Sequence, residues 1–212
     1  EHRKRNALYQ SMNPISKIIR IYNKIYNRWV LLRQKVSLNN KLNIRGRIYI
    51  DNKGSIYLGN NVRINSGRNE NIIGGGDRTN LIALTNGSIQ IGEDTGMSNV
   101  TLVAKKEIVI ESKVMIGGSV KIYDNDFHSI HFSKRLKTPD PDIASAPVKI
   151  EEGAFIGAHS IILKGVTIGK FSVVGAGSVV TKSIPAGQVW AGNPARFIKN
   201  LEEPLLKTKN VF

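Results

Sequence analysis

Between residues 150 and 180 an aliphatic side chain recurs at every sixth position: Ile150, Ile156, Ile162, Ile168, Val174 and Val180. Four residues after each of the first five stands a small or β-branched residue: Ala154, Ser160, Val166, Ser172 and Ser178. The same phase runs through Ile110, Ile116 and Ile122 with Val114 and Val120, and through Leu58 and Ile64 with Val62. Neither the 3.6-residue period of a helix nor the two-residue alternation of a strand sustains a strict period of six, whereas a prism with sides six residues long does. The predicted fold is mainly β, a parallel β-helix in which each aliphatic residue points inward and stacks on its counterpart one coil below, ~4.8 Å away. The small residue lets the chain turn the corner. Three sides of six residues give coils of roughly eighteen, so residues 42–190, less one excursion, predict about seven coils. An aromatic content of 7% suits so thin a core.

The 212 residues divide into a basic segment over 1–41, the repeat domain over 42–190 and a tail over 191–212. The net charge is +15, and residues 1–41 hold ten Lys or Arg against the single acid Glu1, so nine of the excess charges sit there. Asn13-Pro14 reads as an N-cap followed by proline in the first helical turn. Ile15, Ile18, Ile19, Tyr22, Ile25, Tyr26, Trp29 and Leu32 follow at three- and four-residue steps, which predicts an amphipathic helix of about five turns. Lys17, Arg20, Lys24, Arg28 and Arg33 line its polar side. Two readings of this helix stand side by side: peripheral contact with an anionic membrane, and packing against the body or a sister subunit. No apolar run approaches the ~20 residues of a spanning helix and no signal peptide opens the chain, so the expected location is cytoplasmic, at most peripheral at the inner face of the membrane. The sequence holds no Cys, which excludes disulfides and cysteine nucleophiles.

Three stretches resemble one family. They are Tyr123-Asp-Asn-Asp-Phe-His128 at the opening of a loop, Val148 to Lys182 ending in Gly175-Ala-Gly-Ser-Val-Val-Thr-Lys182, and Trp190-Ala-Gly-Asn-Pro-Ala-Arg196 before an expected short C-terminal helix. Together they are similar to the hexapeptide-repeat acyltransferases, whose coils wind left-handed, and especially to the maltose and galactoside acetyltransferase-like branch that includes bacterial polysaccharide O-acetyltransferases. The resemblance implies a homotrimer with active sites between subunits, acetyl-CoA as donor, no metal, and a glycan or sugar acceptor.

The repeat phase breaks between Ile122 and Ile150, 28 residues apart, so the chain leaves the prism there, in a loop over about 125–147. An excursion of ~20 residues from a compact repeat points to function. Acyl transfer to a sugar hydroxyl needs a base that titrates near neutral pH, and histidine fits. In the family the loop-opening histidine takes this role, and its match is His128; Asp124 or Asp126 would orient the ring as the carboxylate does in a hydrolase triad. His131 follows as an acceptor-side candidate, with Asn99 one coil earlier. By the resemblance Gly157, Ala158 and Ala176 contact the pantetheine arm, Thr181 and Lys182 lie further along, and Arg196 and Lys199 face the phosphates. Many family members place Trp where Phe155 stands.

The function these residues imply is O-acetylation, by acetyl-CoA, of a sugar hydroxyl in a bacterial surface glycan (capsule, O-antigen or exopolysaccharide) or its precursor. A nucleotide-sugar N-acetyltransferase is one alternative. The other is a zinc protein like the gamma-class carbonic anhydrases, for which His128, His131 and His159 supply the right count. Gly74-Gly75-Gly76 lacks the Lys-Ser/Thr of a phosphate loop and no Gly-x-Ser-x-Gly elbow occurs. Nucleic acid is not an expected partner.

Overall fold

In the computed structural model, which describes residues 13–39, 41–75 and 78–202, the chain winds a three-sided left-handed parallel β-helix. The first face stacks β1 (Ser37–Leu38), β4 (Ser55–Leu58), β7 (Ser88–Ile91), β10 (Glu107–Ile110), β13 (Val148–Ile150) and β16 (Thr167–Ile168). The second stacks β2 (Leu42–Gly46), β5 (Val62–Ser66), β8 (Gly96–Ser98), β11 (Met115–Ile116), β14 (Phe155–Ile156), β17 (Val173–Val174) and β19 (Gln188–Gly192), with β20 (Ala195–Asn200) returning antiparallel beside β19. The third stacks β3 (Tyr49–Asn52), β6 (Asn80–Ala83), β9 (Thr101–Ala104), β12 (Lys121–Tyr123), β15 (Ile161–Ile162) and β18 (Val179–Val180).

The register is the one the period predicts. Ile150 pairs with Ile168, Ile156 with Val174 and Ile162 with Val180, and all six side chains are fully buried. The corner serines are equally buried, and their hydroxyls donate to corner carbonyls, Ser160 to Gly175 at 3.0 Å and Ser172 to Pro185 at 2.6 Å, so neither hydroxyl is stranded in the thin core.

Among the described residues two excursions leave the prism, one more than the sequence predicts. The expected one spans 124–147, between the third and first faces. The other leaves after Ser66 and rejoins at Asn80, between the second and third faces, and contains a 3-10 turn at Ile72–Gly74. Because of it Ile64 pairs with Met97, 33 positions on, where one coil needs about eighteen.

Helix α1 (Pro14–Arg33) has the predicted cap, with Asn13 Oδ1 accepting from Ser16 N at 2.8 Å. It closes the first end of the prism, but on an unexpected side. Asn27, Val30 and Leu31 are buried there, whereas the isoleucine stripe is exposed. Asn27 sets the dock by bridging a coil corner, donating to Gly46 O at 2.8 Å and accepting from Ile48 N at 3.2 Å. Among the described residues no helix is long and apolar enough to cross a membrane. At the other end Trp190 packs on the core and its indole N–H donates to Gln188 Oε1 at 2.8 Å.

The short helix expected after Arg196 is a correction. The chain continues as β20 to Asn200, because a turn at Gly192 to Pro194 folds it back onto the open edge of β19. The rest of the expected C-terminal helix falls in 203–212, outside the described residues.

Candidate active site

The loop over 124–147 is built on its first residue. Asp124 is fully buried, and its carboxylate accepts from the backbone N–H groups of Lys105, Lys106 and Glu107 at 2.5–2.7 Å, on the corner one coil below. The loop base then closes on itself: Ala146 N donates to Asp124 O, Asp126 N to Ala144 O, and Asn125 bridges Ser145. Lysines from the adjacent coils brace it from both sides. Lys164 Nζ lies 2.6 Å from Asp126 Oδ1, and Lys105 Nζ donates to Ile143 O at 3.2 Å. A tight turn about Phe127, in the left-handed region at φ 63°, brings His128 N to 2.7 Å from Asp126 O. The Phe127 ring stands edge-on to Tyr123 with centroids 5.0 Å apart.

This geometry engages both predicted orienting carboxylates elsewhere, Asp124 with backbone amides and Asp126 with Lys164. The carboxylate beside the His128 imidazole is Asp140, whose Oδ2 lies 3.8 Å from Nδ1. Asp140 is itself well held: Oδ2 accepts from Ser129 N at 2.7 Å, Oδ1 accepts from Asp142 N at 3.3 Å, and the side chain is 8% exposed against 71% for His128. The preceding Thr138-Pro139 peptide is cis. Lys134, on the short helix α2 (Phe132–Arg135), pairs with Asp142 at 2.6 Å and holds its carboxyl below the usual aspartate range. His131 is exposed at the start of α2, with no side-chain cap bond. The Pro139-Asp-Pro141-Asp run advertised a turn, but only the closed loop shows that its first aspartate faces the histidine.

Apart from Lys199, the predicted coenzyme residues fall on two edges of the prism. Thr181 and Lys182 follow β18 on the same third-to-first edge as the His128 loop, and both are exposed. Gly157, Ala158 and Ala176 lie on the second-to-third edge, across the full width of the third face. At Gly157 a Cβ would stand 2.5 Å from Ala176 N, so coil stacking alone demands glycine there. Arg196 pairs with Ala191 near that same edge, whereas Lys199 pairs with Val189 toward the opposite one.

Asn99 is buried rather than presented to a ligand. Its Oδ1 accepts from Gly67 N at 2.7 Å and its Nδ2 donates to Asn71 O at 3.2 Å, which pins the 67–79 excursion to the prism. Ser119 Oγ completes the clasp on Gly74 O at 2.7 Å. His159 is an exposed corner residue at φ 62°, on a different edge from His128 and His131. Among the described residues no three His, Cys, Asp or Glu side chains gather to hold a metal ion, so the zinc alternative lacks a ligand set within one chain.

A coil of this kind is the fold of a solved hexapeptide-repeat acetyltransferase. Residues 147–182 match a family model described as the hexapeptide repeat of succinyl-transferase. The 2,3,4,5-tetrahydropyridine-2,6-dicarboxylate N-acetyltransferase of Clostridium perfringens is 52% identical over 67 residues, which cover 32% of this chain and 27% of that protein. The galactoside O-acetyltransferase of Escherichia coli is 37% identical over 105 residues, 50% of each. The chain thus spans half or less of the length of these relatives.

Among solved structures, a hexapeptide-repeat acetyltransferase from Vibrio cholerae complexed with acetyl coenzyme A is 25% identical, with a TM-score of 0.57 over 83% of this chain and 77% of that one. An N-acyltransferase from Bacillus cereus, in complex with dTDP-4-amino-4,6-dideoxyglucose and coenzyme A, shares the fold at 24% identity, with a TM-score of 0.67 over 84% and 90%. By its repeat over residues 147–182 and by its fold the chain is similar to hexapeptide-repeat acetyltransferases.

Proposed function

We propose that the protein is an acetyl-CoA-dependent O-acetyltransferase acting on a sugar hydroxyl of a bacterial surface glycan or its precursor, with His128 as general base. The observation that carries this reading is the built loop, which holds an exposed imidazole against the nearly buried Asp140 carboxylate. The 37% identity to a galactoside O-acetyltransferase over half of each chain supports a hydroxyl acceptor.

With Nδ1 turned toward Asp140, Nε2 is the nitrogen left for the acceptor. The imidazole takes the hydroxyl proton as the oxygen attacks the thioester carbonyl; the C–S bond then breaks and the proton passes to the departing thiolate. Asp140 orients the ring and stabilises its charged form. The 3.8 Å separation is long for a hydrogen bond, as catalytic contacts often are before the acceptor arrives.

The division of the other candidates between two edges supports a site shared by two copies of the chain. The His128 edge of one subunit, with Thr181 and Lys182, would face the Gly157, Ala158 and Ala176 edge of the next, with Arg196 beside it for the coenzyme phosphates. Closure of such a pairing makes a cyclic trimer.

N-acetylation of a nucleotide-linked amino sugar is the second reading; the 52% local identity to a tetrahydropyridine-dicarboxylate N-acetyltransferase favours transfer to nitrogen, without bearing on the sugar. Thiol release from acetyl-CoA, measured against free sugars, polysaccharides and nucleotide-linked amino sugars, separates the two. His128→Ala is expected to lower turnover by ~10²–10⁴-fold while leaving coenzyme affinity nearly intact. Unchanged turnover in His128→Ala would remove the histidine from the mechanism.

A further inference from the structure

Helix α1 meets the prism with one side only. Away from the buried Asn27, Val30 and Leu31, a stripe made of Ile15, Ile18, Tyr22, Ile25, Trp29 and Leu32 is 54–70% exposed. Ile19 and Ile21, also more than half exposed, widen it to roughly 160° of the helix circumference. The buried side chains and the stripe lie on opposite sides of the helix axis, so covering the stripe leaves the dock on the prism intact.

The borders of the stripe are basic. Exposed Lys17, Lys24 and Arg28 line one of them. On the other, Arg47 lies 4.8 Å above the Tyr22 ring and 5.3 Å above Tyr26, and Arg33 lies 5.4 Å from the Trp29 ring. The helix contains no acidic residue.

We propose that α1 is an interfacial anchor that lays this stripe on an anionic lipid surface. Charge complementarity selects lipid over a second copy of the chain. Copies of α1 packed together would offer one another cations alone, whereas an anionic headgroup layer neutralises all of them. The stripe is also wider than a coiled-coil seam, and Tyr22 and Trp29 stand where such a seam takes β-branched aliphatics. Both aromatic types suit the boundary between headgroups and acyl chains. The aliphatic stems of the flanking lysines can lie along the stripe while their ammonium groups reach the phosphates.

The test is co-sedimentation of the full chain with phosphatidylcholine vesicles, with and without about one-third phosphatidylglycerol, alongside light scattering of each variant. The wild type is expected to bind the anionic vesicles alone and to be released by ~0.5 M salt. Each of Lys17→Glu, Lys24→Glu and Arg28→Glu should weaken binding by about five-fold or more. Ile18→Glu with Ile25→Glu should abolish it without changing the mass of the assembly or its circular dichroism. Equal binding to neutral and anionic vesicles, or no binding, overturns the proposal. A fall in assembly mass in the double variant also overturns it, by assigning the stripe to a second copy.

Discussion

Three residues separate Asp124 from His128, and the surroundings of the two give them opposite tasks. Asp124 has no exposure and three backbone N–H partners, so Asp124→Ala leaves those donors unpaired in the corner and is expected to lower stability by about 3 kcal/mol in chemical denaturation. His128 is largely exposed, so changing it leaves the fold intact. Asp140→Asn keeps the shape beside the imidazole and removes the charge. Turnover should fall by ~10-fold or more, whereas His131→Ala should leave it unchanged. Ion pairs on the first-to-second edge set a pH response. The Lys149 ammonium, 2.9 Å away, together with the Glu152 N–H, holds the Glu111 carboxyl below the ordinary value of 4.5. A lowered carboxylate contributes stability above its unfolded value and loses it as pH falls through the folded one. Glu111→Gln should therefore flatten the decline in stability seen on acidification from about pH 5.

At the scale of elements, the attachment of α1 rests on one amide. Asn27→Ala removes both of its bonds to the first corner and is expected to cost about 2 kcal/mol and to open the helix to proteolysis. Gly46, whose carbonyl accepts from Asn27 in that clasp, has φ 73° and no room for a Cβ, which would stand 1.7 Å from Ser66 O; Gly46→Ala should be at least as damaging. The repeat was legible because its period is a local property of the chain, and so was the loop, because it interrupts that period. Asn99 and Asp140 show the limit. Each acts through a partner far along the chain, Asn99 through Gly67 and Asn71 in the second excursion and Asp140 across the closed loop to His128. Spacing within one segment carries no signal of either contact. The face by which α1 docks was hidden for a related reason: its longest apolar stripe is not the face that meets the prism, because Asn27 supplies hydrogen bonds that no apolar residue offers the coil corner.

The whole molecule is a column whose coils touch only their neighbours, so its candidate catalytic groups cannot converge from distant parts of one chain. They sit on two edges separated by a face, and light scattering is expected to report three times the chain mass, with turnover lost on dissociation. A monomer that retains full turnover would place both halves of the chemistry on one edge.

The return of β20 alongside β19 also sets the length of the column. A parallel ladder ending in an unpaired strand invites the next molecule to add its own coil, and nothing in a six-residue repeat says where such growth stops. Here the last of the described strands runs the other way, slips register between Val189 and Trp190, and carries the exposed Arg196 and Lys199. A chain ending at Ala186 should retain the stacked coils yet associate end to end, into fibres visible by electron microscopy, at concentrations where the intact protein stays in discrete particles.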